Sequence, residues 1–321
     1  MLEGMSITAG QTLGLFLLMA FGAVARYAKL FDADSVRRIA DFVLLIVTPC
    51  LILTSFRKPF EPELLAGMGW AFLAAVLSHA AGAALARIFV HDPDEARRRA
   101  MRFSVVFSNA GFMGFPLEYA LLGPDGVFFG SVYVTVFNIC IWTYGVREIR
   151  GAGESGKFLK SLVNPGTVGI ALGLPFFLLP VDLPGPVASA VEGIGGLNTP
   201  LSMLVIGFHL AGANFGAALK RPGTYTVFAL RHVAVPAMVA AAVIPLAIAG
   251  LPGLSPVVAL AAVIPAAAPV AASVAMFSVR YGRDPEYPVA LVAASTVLSI
   301  ATMPVAIGAA KALLESAGKL D

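Results

Sequence analysis

The chain has 321 residues, of which 58% are hydrophobic and only 13% charged, and its mean hydropathy is +0.85. Soluble domains carry about 25% charged residues, so a soluble protein is excluded and an all-α polytopic membrane protein is expected. A net charge of +3 gives no reason to expect nucleic acid as a partner.

Hydrophobic runs of about 17–25 residues mark membrane spans. In chain order they fall near 8–28, 37–56, 65–90, 101–122, 125–146, 162–180, 188–213, 224–250, 256–280 and 286–312, ten in all. The N-terminus carries Glu3 and no basic leader, so the first run is read as a retained helix although Ala23-Val24-Ala25 has the form of a cleavage site. The polar connection 147–161 separates a first five-span repeat (1–146) from a second (162–321). With ten spans, 18 of the 22 Lys and Arg fall in loops on one side, Arg231 among them. That bias places this side in the cytoplasm and both termini on the other side of a multi-pass cell (inner) membrane protein. Cys50 and Cys140 lie in apolar runs and read as small buried thiols rather than a disulfide or metal site.

The two halves echo one another. Thr48-Pro49-Cys50-Leu51 in the second span returns as Thr199-Pro200-Leu201-Ser202 in the seventh. Leu122-Gly123-Pro124-Asp125 after the fourth returns as Tyr281-Gly282-Arg283-Asp284 after the ninth. Five spans is an odd number, so the second copy enters the membrane from the opposite face, which makes an inverted repeat.

The fourth span contains Ser108-Asn109-Ala110-Gly111-Phe112-Met113-Gly114-Phe115-Pro116. Two glycines weaken helix there and Pro116 removes a donor. A broken helix survives in hydrocarbon only where protein or a water-filled cavity satisfies its backbone, and such breaks build substrate sites in secondary transporters. The aligned stretch of the ninth span holds Pro265 and Pro269. Two breaks crossing near the centre are expected.

Among residues able to carry chemistry, Asn109 leads, because its amide donates to a carboxylate; the alternative is that it only caps the half-helix after it. Gly111 and Gly114 let a ligand approach the backbone, or else pack helices. Half-helix N-termini favour an anion, and the crossing offers no Lys or Arg to pair with it, which suits a small carboxylate. Glu118 is a candidate for proton or cation coupling, against a solvated position near the outer interface. His209 is a second candidate, against a hydrogen-bonded packing role. Asn138 faces the cavity or bonds a neighbouring helix. Ser273 reaches the ligand or bonds its own helix. Arg231 and His232 are placed near the cytoplasmic end, where snorkelling explains them. No zinc-peptidase, phosphate-loop or paired-aspartate motif is present, so an enzyme is not expected, and no cofactor or metal is implied.

These stretches, with Asn138, Trp142 and Gly145, Asn164-Pro165, Pro200-Leu201-Ser202-Met203-Leu204-Val205-Ile206-Gly207, Arg231, Pro236 and Ser295-Thr296-Val297-Leu298-Ser299, together resemble the auxin efflux carrier family, in its bacterial organic-acid transporter-like branch. The resemblance implies ten transmembrane helices in two inverted repeats with broken crossing helices four and nine, similar to bile acid symporters and sodium/proton antiporters. It implies a scaffold of helices one, two, six and seven, a transport unit of three to five and eight to ten, and an elevator movement between them. Substrate then sits at Asn109, Gly111, Pro116, Pro265 and Pro269, and a homodimer forms through the scaffold. The short loop between the halves departs from the plant carriers, and His209 stands where the family has a small residue. The expected activity is secondary transport of a small organic anion, such as a carboxylate or auxin-like acid. A sodium-coupled symporter and a non-transporting membrane sensor are the alternatives.

Overall fold

A computed structural model describes residues 2–150, 165–179 and 181–320, and its regular elements are helices. In chain order these are α1 (Leu2–Tyr27), α2 (Ala33–Phe56), α3 (Pro62–Phe89), α4 (Glu95–Val106) and α5 (Ala110–Arg150). The second half continues with α6 (Pro165–Leu178), α7 (Gly185–Leu210), α8 (Pro222–Ile248), α9 (Pro256–Ala267), α10 (Ser273–Arg280) and α11 (Glu286–Ser316). Six of them, α2, α3, α5, α7, α8 and α11, are long and apolar enough to cross a membrane. Shorter apolar helices fall at Leu13–Tyr27, α6 and α9. Helix α5 runs to Arg150, into the polar connection 147–161; residues 151–161 and Asn164 lie outside those described.

Local sequence sets the helix ends. Asp32 accepts from the Ser35 amide at 2.7 Å and Asp94 from the Arg97 amide at 3.0 Å, each satisfying an orphan donor at a helix start. Prolines open α3 and α9 at positions where the missing amide costs nothing. Within α5, Gly123 adopts φ 65 and ψ −154, and the chain doubles back so that residue 126 meets the Glu118 carbonyl. Gly282, its counterpart in the second half, also has φ 65, a backbone region in which a side chain is strained. The sequence echo thus coincides with the same positive φ.

Helices α1, α2, α6 and α7 pack on one another, α1 chiefly on α7 and α2 on α6. Helices α3, α5, α8 and α9 form a second set of mutual contacts. Tilted rings of Phe56, Phe128 and Phe177 join α2, α5 and α6, with centroids 4.5 Å and 5.2 Å from Phe128. The echoed Thr-Pro motifs also meet, for Asn198 donates from Nδ2 to Thr48 Oγ1 at 3.0 Å. At one end of the molecule Arg57 forms a forked pair with Asp182 and a further bond to Glu192. The Arg57 guanidinium lowers the Asp182 carboxyl to about 2, so this contact persists while pH falls well below the ordinary carboxylate range. Lys58 pairs with Asp125 beside it, joining α2 to the Gly123 turn of α5. Cys50 and Cys140 are free and only half-buried.

Candidate functional site: two paired helix breaks

Helix α4 stops at Val106 because Phe107 turns extended (φ −104, ψ 115), and Asn109 follows at φ −78, ψ 53. Helix α9 stops at Ala267. The next residue, Ala268, precedes a proline, which disfavours helical backbone, and it lies at φ −62, ψ 150. The two non-helical segments run antiparallel against each other. The Asn109 amide donates to the Pro269 carbonyl at 2.7 Å, and the Ala271 amide donates to the Phe107 carbonyl at 3.0 Å. The Val270 amide donates to Ser295 Oγ at 2.9 Å. Each break therefore supplies hydrogen-bond partners the other lacks, which is what backbone buried away from water requires.

The carbonyl ends of both half-helices converge on one side chain. Arg231 is fully buried. Its Nη1 donates to the carbonyls of Val105 at 3.0 Å and Val106 at 3.3 Å, and its Nη2 donates to the Ala266 carbonyl. The guanidinium thus caps the negative ends of α4 and α9 together. Two expectations are overturned. Arg231 does not snorkel, and the crossing does contain an arginine. Its charge leaves the loop count, whose bias survives the loss of one residue. His232 is buried too: Ser295 Oγ, already accepting from Val270, shares a hydrogen bond of 2.8 Å with His232 Nε2, and Thr302 Oγ1 shares one of 2.9 Å with His232 Nδ1. A chain of polar groups from α8 and α11 thereby fixes the second break. The wide i→i+5 turn at 230–234 lets successive residues Arg231 and His232 both point inward.

The amide ends are left open. Met113 and Gly114 donate to the Asn109 carbonyl, but the amides of Ala110, Gly111 and Phe112 find no backbone acceptor among the described residues. Nor do those of Ala272 and Ser273 at the start of α10. Asn109 is 6% exposed and its side chain makes no capping bond, so capping alone does not explain it. Gly111 borders open space, where an added Cβ would meet nothing within 4 Å. Ser273 keeps a buried Oγ without a partner among the described residues. Gly114 instead packs helices, with Pro265 Cβ 3.6 Å from where its own Cβ would stand; Pro116, Pro265 and Pro269 are all buried.

Three other expectations change. Asn138 is half-buried and donates to its own helix, to Val134 O at 2.9 Å, rather than to a neighbouring one. His209 is exposed in the last turn of α7, with its ring edge-on to Phe208, so it is not a hydrogen-bonded packing residue. Glu118 is 1% exposed, not solvated, and neither carboxyl oxygen has a partner among the described residues.

One buried group escaped the sequence reading altogether. His79 of α3 donates from Nδ1 to Ala75 O at 2.7 Å, and its ring lies 5.4 Å from Tyr133 and 5.8 Å from Phe107 of the first break. Beside it Ser78 and Tyr133 share a hydrogen bond of 2.8 Å. The adjacent Ser-His pair in the middle of the third apolar run was the available signal.

Clefts of about 530 Å³, lined by His91, Asp92, Pro93, Arg98 and Arg102, and about 230 Å³, near Arg97 and Arg221, open among charged loops; no residue of either break lines them. No curated protein matches the chain. A family model described as membrane transport protein matches residues 8–307, nearly the full length over which the paired breaks and their supporting helices lie. The chain therefore belongs to the membrane transport protein family of auxin efflux carriers.

Proposed function

We propose that this chain is a secondary transporter that moves a small organic anion, such as a carboxylate, across the cell membrane by alternating access. The observation that carries the reading is the electrical asymmetry of the paired breaks. Arg231 neutralises the carbonyl ends of the half-helices, while the amide ends at Ala110–Phe112 and Ala272–Ser273 keep free donors and partial positive charge. A carboxylate between Asn109, Gly111 and Ser273 would complete those bonds, and Asn109 Nδ2 would add another. Pro269 holds the second break open, because the residue before a proline is disfavoured from helical backbone.

On this reading the short helices pair across the breaks to give ten spans in two inverted five-helix repeats, with both termini outside the cytoplasm. Helices α1, α2, α6 and α7 would be the scaffold of an elevator and, as the resemblance implies, a homodimer contact. The remainder would be the moving unit. The mutual packing of each set supports that division. A sodium-coupled symporter is disfavoured, because half-helix carbonyl ends are where such carriers hold a cation, and here Arg231 takes them.

The first test is thermal stabilisation of the detergent-solubilised protein by a panel of small carboxylates, indole-3-acetate included, repeated on Asn109→Ala. Ligand bound to the folded state raises apparent stability. Loss of bonds to a charged ligand costs about 1.5–3 kcal/mol, so the variant should need roughly ten- to a hundredfold more ligand. Equal stabilisation of both proteins would move the site away from Asn109, and stabilisation by cations alone would overturn the anion reading.

The Lys58–Asp125 pair tests the elevator, since it spans the two sets of helices. Lys58→Cys with Asp125→Cys, in a background with Cys50 and Cys140 replaced by serine, should lose transport on oxidation and regain it on reduction. Full transport by the cross-linked protein would exclude movement of α5 past α2.

A further inference from the structure

Glu118 has an environment that the anion site does not use. Its carboxyl is 1% exposed, and both oxygens lack a hydrogen-bond partner among the described residues. It lies against Gly130 across the doubled-back limbs of α5, where a Cβ at residue 130 would overlap the carboxyl. The missing side chain at 130 makes the space. Helices α6 and α9, packed on this part of α5, carry no titratable side chain. Of the charged groups on the neighbouring elements, Lys58 after α2 is paired with Asp125, Glu192 of α7 with Arg57, and His79 of α3 is bonded to Ala75, while Arg26 and His209 stand at the ends of α1 and α7.

An isolated carboxylate stripped of water, without cation or donor, is several kcal/mol too costly to persist. The neutral acid fits this packing. Glu118 also rides on the limb that begins at the first break, so a displacement of that limb changes its surroundings together with those of the anion site.

We propose that Glu118 is the proton-carrying group of this transporter, a step that rests on the anion-transport reading above. In the conformation seen here the carboxyl holds its proton. In the alternate conformation it reaches water on one side of the membrane, its O–H bond breaks, and the proton passes to solvent there; after the return, the carboxylate takes a proton from water on the opposite side before it is closed in again. One proton then moves with each cycle, and a pH gradient drives the anion. Glutamine at 118 would reproduce the neutral form permanently.

Two measurements test this. Infrared difference spectra of wild type against Glu118→Gln at neutral pH should show a protonated-carboxyl C=O band that only wild type has; its absence overturns the proposal whatever the substrate is. In proteoliposomes, with acetate, lactate and indole-3-acetate as probes, an imposed pH gradient should drive uptake by wild type above that of empty vesicles. Glu118→Gln should lose this gradient-driven accumulation but keep exchange of internal for external probe. Gradient-driven uptake unchanged in Glu118→Gln would overturn the proposal. If wild type carries none of the probes while the infrared band is present and lost in the variant, the anion-transport reading fails and protonation of Glu118 stands. Gly130→Ala, which places a methyl group on the carboxyl, should shift or abolish the band, and an unshifted band counts against the packing argument.

Discussion

Arg231→Met is expected to cause the largest loss of stability of any single substitution in the membrane core. The change removes the donors for three carbonyls from two helices, at Val105, Val106 and Ala266. A buried polar group left unpaired costs about 1–3 kcal/mol, so the total is on the order of 3–5 kcal/mol, comparable with removing one partner of a buried ion pair. Arg231→Lys keeps the charge but presents a single ammonium instead of a planar fork. It should hold one helix end and release the other, giving an intermediate thermal midpoint and weaker carboxylate stabilisation. Thermal unfolding of the purified variants reads both. A methionine variant as stable as wild type would mean that the carbonyls find other partners.

Gly207→Ala should be the second severe change, for a steric reason. Helices α1 and α7 approach so closely that a Cβ at 207 would overlap the Met19 carbonyl, and one at Gly22 would overlap the Leu204 carbonyl while lying 2.9 Å from the Phe208 amide. These obstacles are backbone, so no rotamer change relieves them; the helices must separate. Overpacking of this kind costs about 1–3 kcal/mol, and Gly207→Val should cost more. Gly22→Ala combined with Gly207→Ala should cost less than the sum, since the first methyl already parts the helices. Additive losses in thermal stability would show that the two contacts yield independently.

Much of this architecture is legible in the sequence because apolar length and glycine or proline placement act locally. The break at 107–109 lies at the start of the Asn109–Pro116 stretch that marked it, and the break at 268–271 contains Pro269, with Pro265 in the last turn of α9. The shared φ at Gly123 and Gly282 was foreshadowed by the repeated Gly-x-Asp. What stayed hidden depends on three-dimensional depth. Arg231 was read as a surface charge, yet it stands nine residues beyond Pro222, the start of α8. At 1.5 Å per residue that is about 14 Å, close to half of a hydrocarbon core of about 30 Å, too deep to reach water. His79 is similarly central in α3. Glu118 could not be placed from its own neighbours, because its burial depends on the return of the chain after Gly123 and on the absence of a side chain at 130. His209 erred the other way, as apolar flanks gave no sign that the ring projects outward.

The pairing of the breaks has a mechanical consequence. An interrupted helix standing alone is a natural hinge, since its two halves can bend about the unwound residues. Here the hinge is spliced: Phe107–Asn109 is stitched to Pro269–Ala271, Arg231 ties the ends of α4 and α9, and Ser295 fastens Val270 to α11. Flexing one joint would tear bonds at the other. The segments that look weakest in the primary structure therefore make the centre of the molecule stiff, and any stroke that carries cargo must take place at its outer seams.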